Sequence, residues 1–215
     1  MIISHGRKYI FVHIPKTGGT SMALALEARA MKDDIMIGDT PKAMNRRRRL
    51  KGVQCSGRLW KHSRLIDVYG LIGDAEIANY HVFTMVRNPW DRLLSYYSWL
   101  KAQDFEHIAV SHAKALNFSE FIRAPAVAEV LRASPYSSYV TDRSGRNVCR
   151  SFVRLENLAQ DVQKLEESLG FKIGPLPFAN PSNRAKNHQS AYSPADKDWI
   201  GQICAEDIQK FGYKF

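Results

Sequence analysis

The stretch Tyr9-Ile10-Phe11-Val12-His13-Ile14-Pro15-Lys16-Thr17-Gly18-Gly19-Thr20-Ser21 decides how the rest of the chain is read. An apolar, β-branched run gives way to a lysine, two glycines and hydroxyl side chains, and a helix-like sequence follows at once. Strand, glycine turn and helix N-terminus in that order form an anion cradle. The backbone N–H groups of the turn and the positive end of the helix dipole point at one spot, where Lys16 adds a full charge. Glycine matters there because a residue without Cβ lets the backbone approach a phosphate closely and adopt positive φ. Lys16, Thr17, Gly18, Gly19, Thr20 and Ser21 therefore form a candidate phosphate-type site.

The cradle is not the standard nucleotide loop, in which the lysine follows the second glycine as GK[ST]. Lys16 precedes both glycines, and the chain contains no Gly-Lys dipeptide. The nearest aspartate that could serve magnesium, in Asp67-Val68-Tyr69-Gly70, is poorly placed for it. A phosphate-like group handled without an obligatory metal is the expectation. A divergent P-loop kinase or other nucleotide-binding enzyme is the alternative, and preference for ATP with magnesium would mark it.

A second segment has its own logic: Phe83-Thr84-Met85-Val86-Arg87-Asn88-Pro89-Trp90-Asp91-Arg92-Leu93-Leu94-Ser95-Tyr96-Tyr97. His81 to Val86 reads as a short buried strand, and Arg87 stands where it ends. Asn88 suits an N-cap and Pro89 a first helical position. Leu93, Leu94, Tyr97 and Leu100 then give an apolar helical face. Ser95 lies early in that helix, so its hydroxyl can share a crevice with Arg87, whose guanidinium fork suits a phosphate dianion. The rival reading is that Arg87 caps the helix or pairs with Asp91.

Together the two segments resemble the donor-binding motifs of sulfotransferases that use 3′-phosphoadenosine 5′-phosphosulfate (PAPS), particularly the carbohydrate-type, Golgi-related branch and its bacterial relatives. The likeness runs from residue 8 to the C-terminus and is loose between Met31 and Gly52. It implies that Lys16 to Ser21 hold the 5′-phosphosulfate and that Arg87 and Ser95 hold the 3′-phosphate. It also implies a late loop, Asn180 to Asn187, closing over the donor. Arg184 would reach the 3′-phosphate from there, whereas a solvated turn is the favoured reading for Lys186. Arg143 to Arg150 matches the family poorly.

Sulfuryl transfer needs a cation where the bridging oxygen gains charge, because that charge grows in the transition state. Lys16 is the candidate. A sulfuryl group carries less charge than a phosphoryl group, which lessens the need for a metal. A base must also take the acceptor's proton. Of the seven histidines, His62 in Trp60-Lys61-His62-Ser63 matches the Lys-His-Ser-like segment that supplies the base in the resembled family. Imidazole titrates in the useful range. A partly buried polar histidine is the plainer reading of His62. His13, inside the first strand, reads as a satisfied core or supporting residue.

Composition bounds the remaining classes. The 215 residues, 45% of them hydrophobic, suffice for one domain spanning 1–215 with a substantial core. No stretch approaches the ~20 apolar residues of a membrane span. No signal peptide is visible, and Cys55, Cys149 and Cys204 lack metal-type spacing, so a cytoplasmic setting with reduced thiols is expected. The net charge of +10 attracts anions. A polyphosphorylated donor accounts for part of it and an acidic polymer acceptor for the rest; together with this basic surface, the resemblance implies a hydroxylated carbohydrate or glycolipid as acceptor. A non-catalytic polyanion-binding protein is the other alternative. Arg46-Arg47-Arg48-Arg49 reads as a solvated loop, and few aromatics interleave with it, against nucleic-acid binding.

The coarse pattern alternates strands (Lys8–His13, His81–Val86, Ser151–Arg154) with helices. Helices are expected at Ser21–Met31, Phe118–Arg123 and Ala126–Arg132, along the stripe Leu158, Val162, Leu165 and Leu169 ending at Gly170, and after Ser193-Pro194. The expected fold is α/β, a three-layer arrangement like that of P-loop NTPases. A central, mainly parallel sheet is flanked by helices, with the site at the carboxyl ends of the strands.

Overall fold

The computed structural model describes residues 1–177 and 187–215. Five strands form one sheet: β1 (Ile2–Ser4), β2 (Tyr9–Val12), β3 (Ile35–Met36), β4 (His81–Val86) and β5 (Ser151–Arg154), in the order β3-β1-β2-β4-β5. β2, β4 and β5 are parallel neighbours, while β1 is antiparallel to both β2 and β3. All strands except β1 therefore point the same way.

The chemistry of the strands explains their place. Tyr9, Ile10, Phe11 and Val12 are all 0% exposed, as expected of a parallel strand covered on both faces. Rings from adjacent strands pack with centroids 5.3 Å apart for Phe11 and Phe83. At the carboxyl end, buried Thr84 donates from Oγ1 to the Val12 carbonyl at 2.7 Å, tying β4 to β2. The expected first strand began at Lys8; instead Lys8 adopts φ +52 in a turn that folds β1 back onto β2. A hairpin strand thus precedes the one read from the pattern.

Contacts divide the described chain into two compact units. One holds Met1–Val86 and 136–177; the other holds Arg87–Pro135 and 187–215. The first contains the sheet and the helices Gly19–Ala28 and Leu158–Leu169. Its core joins Phe11, Phe83 and Met85 with Met22, Leu26 and Leu165. Gly170 ends the second of these helices at φ +72, as the stripe predicted. The helix Gly19–Ala28 starts two residues earlier and ends three residues earlier than expected. Its buried Glu27 accepts from the Lys42 N–H at 2.9 Å and from Thr40 Oγ1, which anchors the start of the helix Pro41–Arg46.

That helix corrects the reading of the arginine run as a loop. Arg46 closes it, and Arg47–Leu50 continues as a 3-10 turn. The run folds because its guanidiniums find carbonyls: Arg46 donates to Met31 at 2.8 Å and to Asp34 at 3.1 Å, and Arg49 to Lys32 at 2.6 Å. The solvated half of the expectation holds, since Arg47, Arg48 and Arg49 are exposed.

The second unit is helical. Pro89–Lys101 starts as predicted, with Asn88 Oδ1 accepting from the Trp90 N–H at 3.1 Å and Pro89 in the first turn. Leu93 and Leu100 of its apolar face pack with Val110, Phe121, Val127 and Ile200. Ser193 caps the helix Pro194–Ile203, and Phe118–Arg123 forms as read. Cys55, Cys149 and Cys204 are reduced thiols. No helix among the described residues is long and apolar enough to cross a membrane.

Candidate active site

The cradle forms where β2 ends. After Val12 the chain runs through His13 and Ile14, turns at Pro15-Lys16, and enters the helix at Gly19. Lys16 sits at φ +64 and Gly18 at φ +85, both in the left-handed region. For glycine that conformation costs nothing sterically; for lysine it is strained. Such strain persists where surrounding structure over-determines the backbone, and it clusters at functional sites. The buried Thr17 directs its hydroxyl to the Ile14 carbonyl at 2.9 Å, which stitches the turn together. The helix has no side-chain cap at Gly18 and no acidic residue in its first turn. The positive end of its dipole is thus not neutralised by the helix's own side chains.

The two glycines serve different needs. Gly18 is set by its φ. Gly19 is set by a close approach: a Cβ there would lie 2.2 Å from His13 Cδ2 and 2.6 Å from His13 Nε2. His13, just past the strand end, therefore packs against the first residue of the helix.

His62 reaches the same place from 49 residues away. Its Nδ1 lies 2.9 Å from the His13 carbonyl, and its ring meets the His13 ring edge-on at 4.7 Å and the Trp60 ring at 5.0 Å. A carbonyl can only accept, so Nδ1 carries the proton and Nε2 keeps the lone pair. Ser63, fully buried, accepts from the Trp60 N–H at 2.9 Å and fixes the turn that presents His62. Burial lowers the His62 pKa to about 4, opposed by the hydrogen bond to His13. Burial, then proximity to His62, pushes His13 well below the ordinary histidine value. Both imidazoles are neutral at pH 7, so His62 is in the protonation state a base requires.

The second motif follows β4 directly. β2 and β4 are adjacent and parallel, with Val12 opposite Thr84. Arg87 is 8% exposed. Its Nε and Nη2 lie 2.7 and 2.6 Å from Asp91 Oδ2, so the pairing weighed as the rival reading is present. Ser95 is buried one turn beyond Asp91 on the same helix. Arg184 and Lys186 lie outside the described residues.

Some of the site escaped the pattern. Leu155, just after β5, supplies the nearest atom to Gly18, at 2.9 Å from where its Cβ would be. Arg154 grips Asp161 with Nε–Oδ2 at 2.8 Å and Nη2–Oδ1 at 2.9 Å, and these bonds hold the Asp161 carboxyl down to about 2. No local signal announces the contact of Leu155 with Gly18, because the two are far apart in sequence.

Residues 1–214 match the model of the Sulfotransferase family. No curated protein matches the chain. The fold is similar to that in the crystal structure of mouse sulfotransferase SULT7A1 complexed with PAP, with a TM-score of 0.54 and 11% sequence identity, over 94% of this chain and 83% of that one. That likeness is one of fold: a P-loop-like α/β arrangement with a central, mostly parallel sheet. With the family model spanning nearly its whole length, this chain belongs to the sulfotransferase family.

Proposed function

We propose that this protein moves the sulfuryl group of PAPS to a hydroxyl of a carbohydrate or glycolipid. The observation carrying this reading is the pairing of an uncapped helix N-terminus with a neutral histidine whose tautomer is fixed by the His13 carbonyl. Lys16 and the residues through Ser21 take the 5′-phosphosulfate. Arg87 and Ser95 take the 3′-phosphate, as their resemblance implies, and Asp91 orients the guanidinium beforehand. Arg184 is assigned to the same phosphate.

In the step, the acceptor oxygen attacks sulfur and its proton passes to His62 Nε2. The bond from sulfur to the bridging oxygen breaks, and both electrons stay with the 5′-phosphate. Lys16 meets that developing charge, which is stronger in the transition state than in the ground state. The anionic donor beside His62 favours its protonated form and so raises its basicity as the reaction begins. We assign the reaction no metal. Net charge and the exposed arginines near the helix Pro41–Arg46 favour an acidic acceptor polymer.

The test is transfer of radiolabel from sulfur-labelled PAPS to a glycan and glycolipid panel. Label in a product, lost in His62→Ala while PAP still binds, supports the reading and removes the polyanion-binding alternative. Preference for ATP with magnesium over PAPS would replace it with the kinase alternative.

A further inference from the structure

Among the described residues of the cradle, His13 carries polar chemistry that the fold does not use. Its side chain is 6% exposed, yet neither ring nitrogen has a hydrogen-bond partner among the described residues; only its backbone carbonyl is used, by His62. Neither nitrogen is among the fully buried polar atoms that lack a partner, so the ring edge keeps access to solvent and to a ligand. The ring stacks on Phe11 at 5.9 Å and meets the His62 ring edge-on. Its Cδ2–Nε2 edge faces Gly19, the first residue of the helix whose N-terminus has no side-chain cap. An unmatched imidazole thus stands beside an unneutralised helix N-terminus.

We propose that His13 is a ligand contact of this site, donating its ring N–H to a non-bridging oxygen of the sulfuryl group being transferred. The proposal rests on the sulfotransferase reading above and adds a residue to it. A neutral imidazole has one donor to give, and in the step described above the sulfuryl oxygens flatten into a plane as the acceptor bond forms and the bridging bond breaks. A fixed donor at one of those oxygens stabilises that geometry with little reorganisation. Gly19 is then glycine for two reasons: a bare Cα admits the anion, and it leaves room for the ring that binds it.

PAPS and PAP differ by the sulfuryl group, so they isolate the contact. His13→Phe keeps a ring against Phe11, Gly19 and His62 but removes the donor. It should weaken PAPS about 10-fold, the worth of one hydrogen bond to a charged group, while calorimetry finds PAP within about twofold of wild type. Turnover should fall further than the KM for PAPS rises. Equal losses for PAP and PAPS, or no loss for either, would overturn the proposal. Retained PAP binding shows that the variant folds; should Phe not fit, His13→Ala is read by the same ratio. Nitrogen-15 histidine spectra of the wild-type protein need no variant: the His13 N–H signal should move with PAPS and stay put with PAP, and the reverse overturns the contact. If wild-type protein binds neither nucleotide, the sulfotransferase reading itself has failed, which is a different result.

Discussion

At Lys16 two demands on one residue conflict. A left-handed lysine costs about 1 kcal/mol relative to glycine, yet the ammonium is the proposed partner of the leaving oxygen. Lys16→Gly should therefore hold or raise the melting temperature, by about 2–4 °C for each kcal/mol in a chain of this size, and abolish transfer. A lower melting temperature would show that the conformation at Lys16 is not a source of strain. His62 makes a second prediction. Its neutral form is the base, and burial places its pKa at about 4. In the free enzyme kcat/KM should not fall through His62 titration between pH 8 and 6; the loss belongs below pH 5. A profile bending near pH 6.5, and flattened by His62→Ala, would mean that the ring is more solvated than its packing implies.

The elements turn these residues into a site. The helix Gly19–Ala28 must start against His13, so Gly19→Ala drives a methyl into the imidazole. Overpacking of this kind costs about 1–3 kcal/mol, and both chemical denaturation and PAP affinity should register it. Gly52→Ala is the control, since a Cβ there meets nothing within 4 Å and only the backbone penalty of its positive φ remains. In the second unit Asn88 caps the helix that carries Asp91 and Ser95. Asn88→Ala removes that cap and the bond to the Lys214 carbonyl, and should cost at least ~1 kcal/mol. Circular-dichroism melts would read it; an unchanged melt would mean that packing alone sets the start of this helix.

For the whole molecule, charge and acid response follow from the same groups. Histidines held below their unfolded pKa bind protons more readily when the chain unfolds. His13 and His62 therefore cost stability as pH falls from about 6.5, with the His62 part complete near 4. Carboxylates at Asp142, Asp161 and Asp196, held to about 2 with hydrogen bonds from Ser144, Arg154 and Arg123 among the causes, act at lower pH. Their support is present above the unfolded value near 4 and disappears as pH approaches 2. Melting curves should thus fall in two stages on acidification, and replacing His13 and His62 should shrink the first, to which the half-buried His81 and the N-terminal amine also contribute. An equal first stage with and without His13 and His62 would mean that the pair is protonated without penalty.

The short-range features of the site were legible in the sequence. Lys16 with its glycines, the strand His81–Val86, the Asn88-Pro89 helix start and the Gly170 helix end each rest on local propensity and spacing, which need no knowledge of distant residues. Lys8 was misread because its turn conformation depends on β1 pairing back onto β2, and the arginine run because its helix is held by Glu27 and by carbonyls of another segment. Contacts of that kind have no local signature. Sequence proposed His62 only through resemblance; tertiary packing gave it a partner, a tautomer and a lowered pKa, and showed His13 buried without a partner against Gly19. Local chemistry chose the ends of the strands. Long-range packing determined which imidazoles gather at the end of β2, because burial and hydrogen-bond satisfaction are properties of the folded chain.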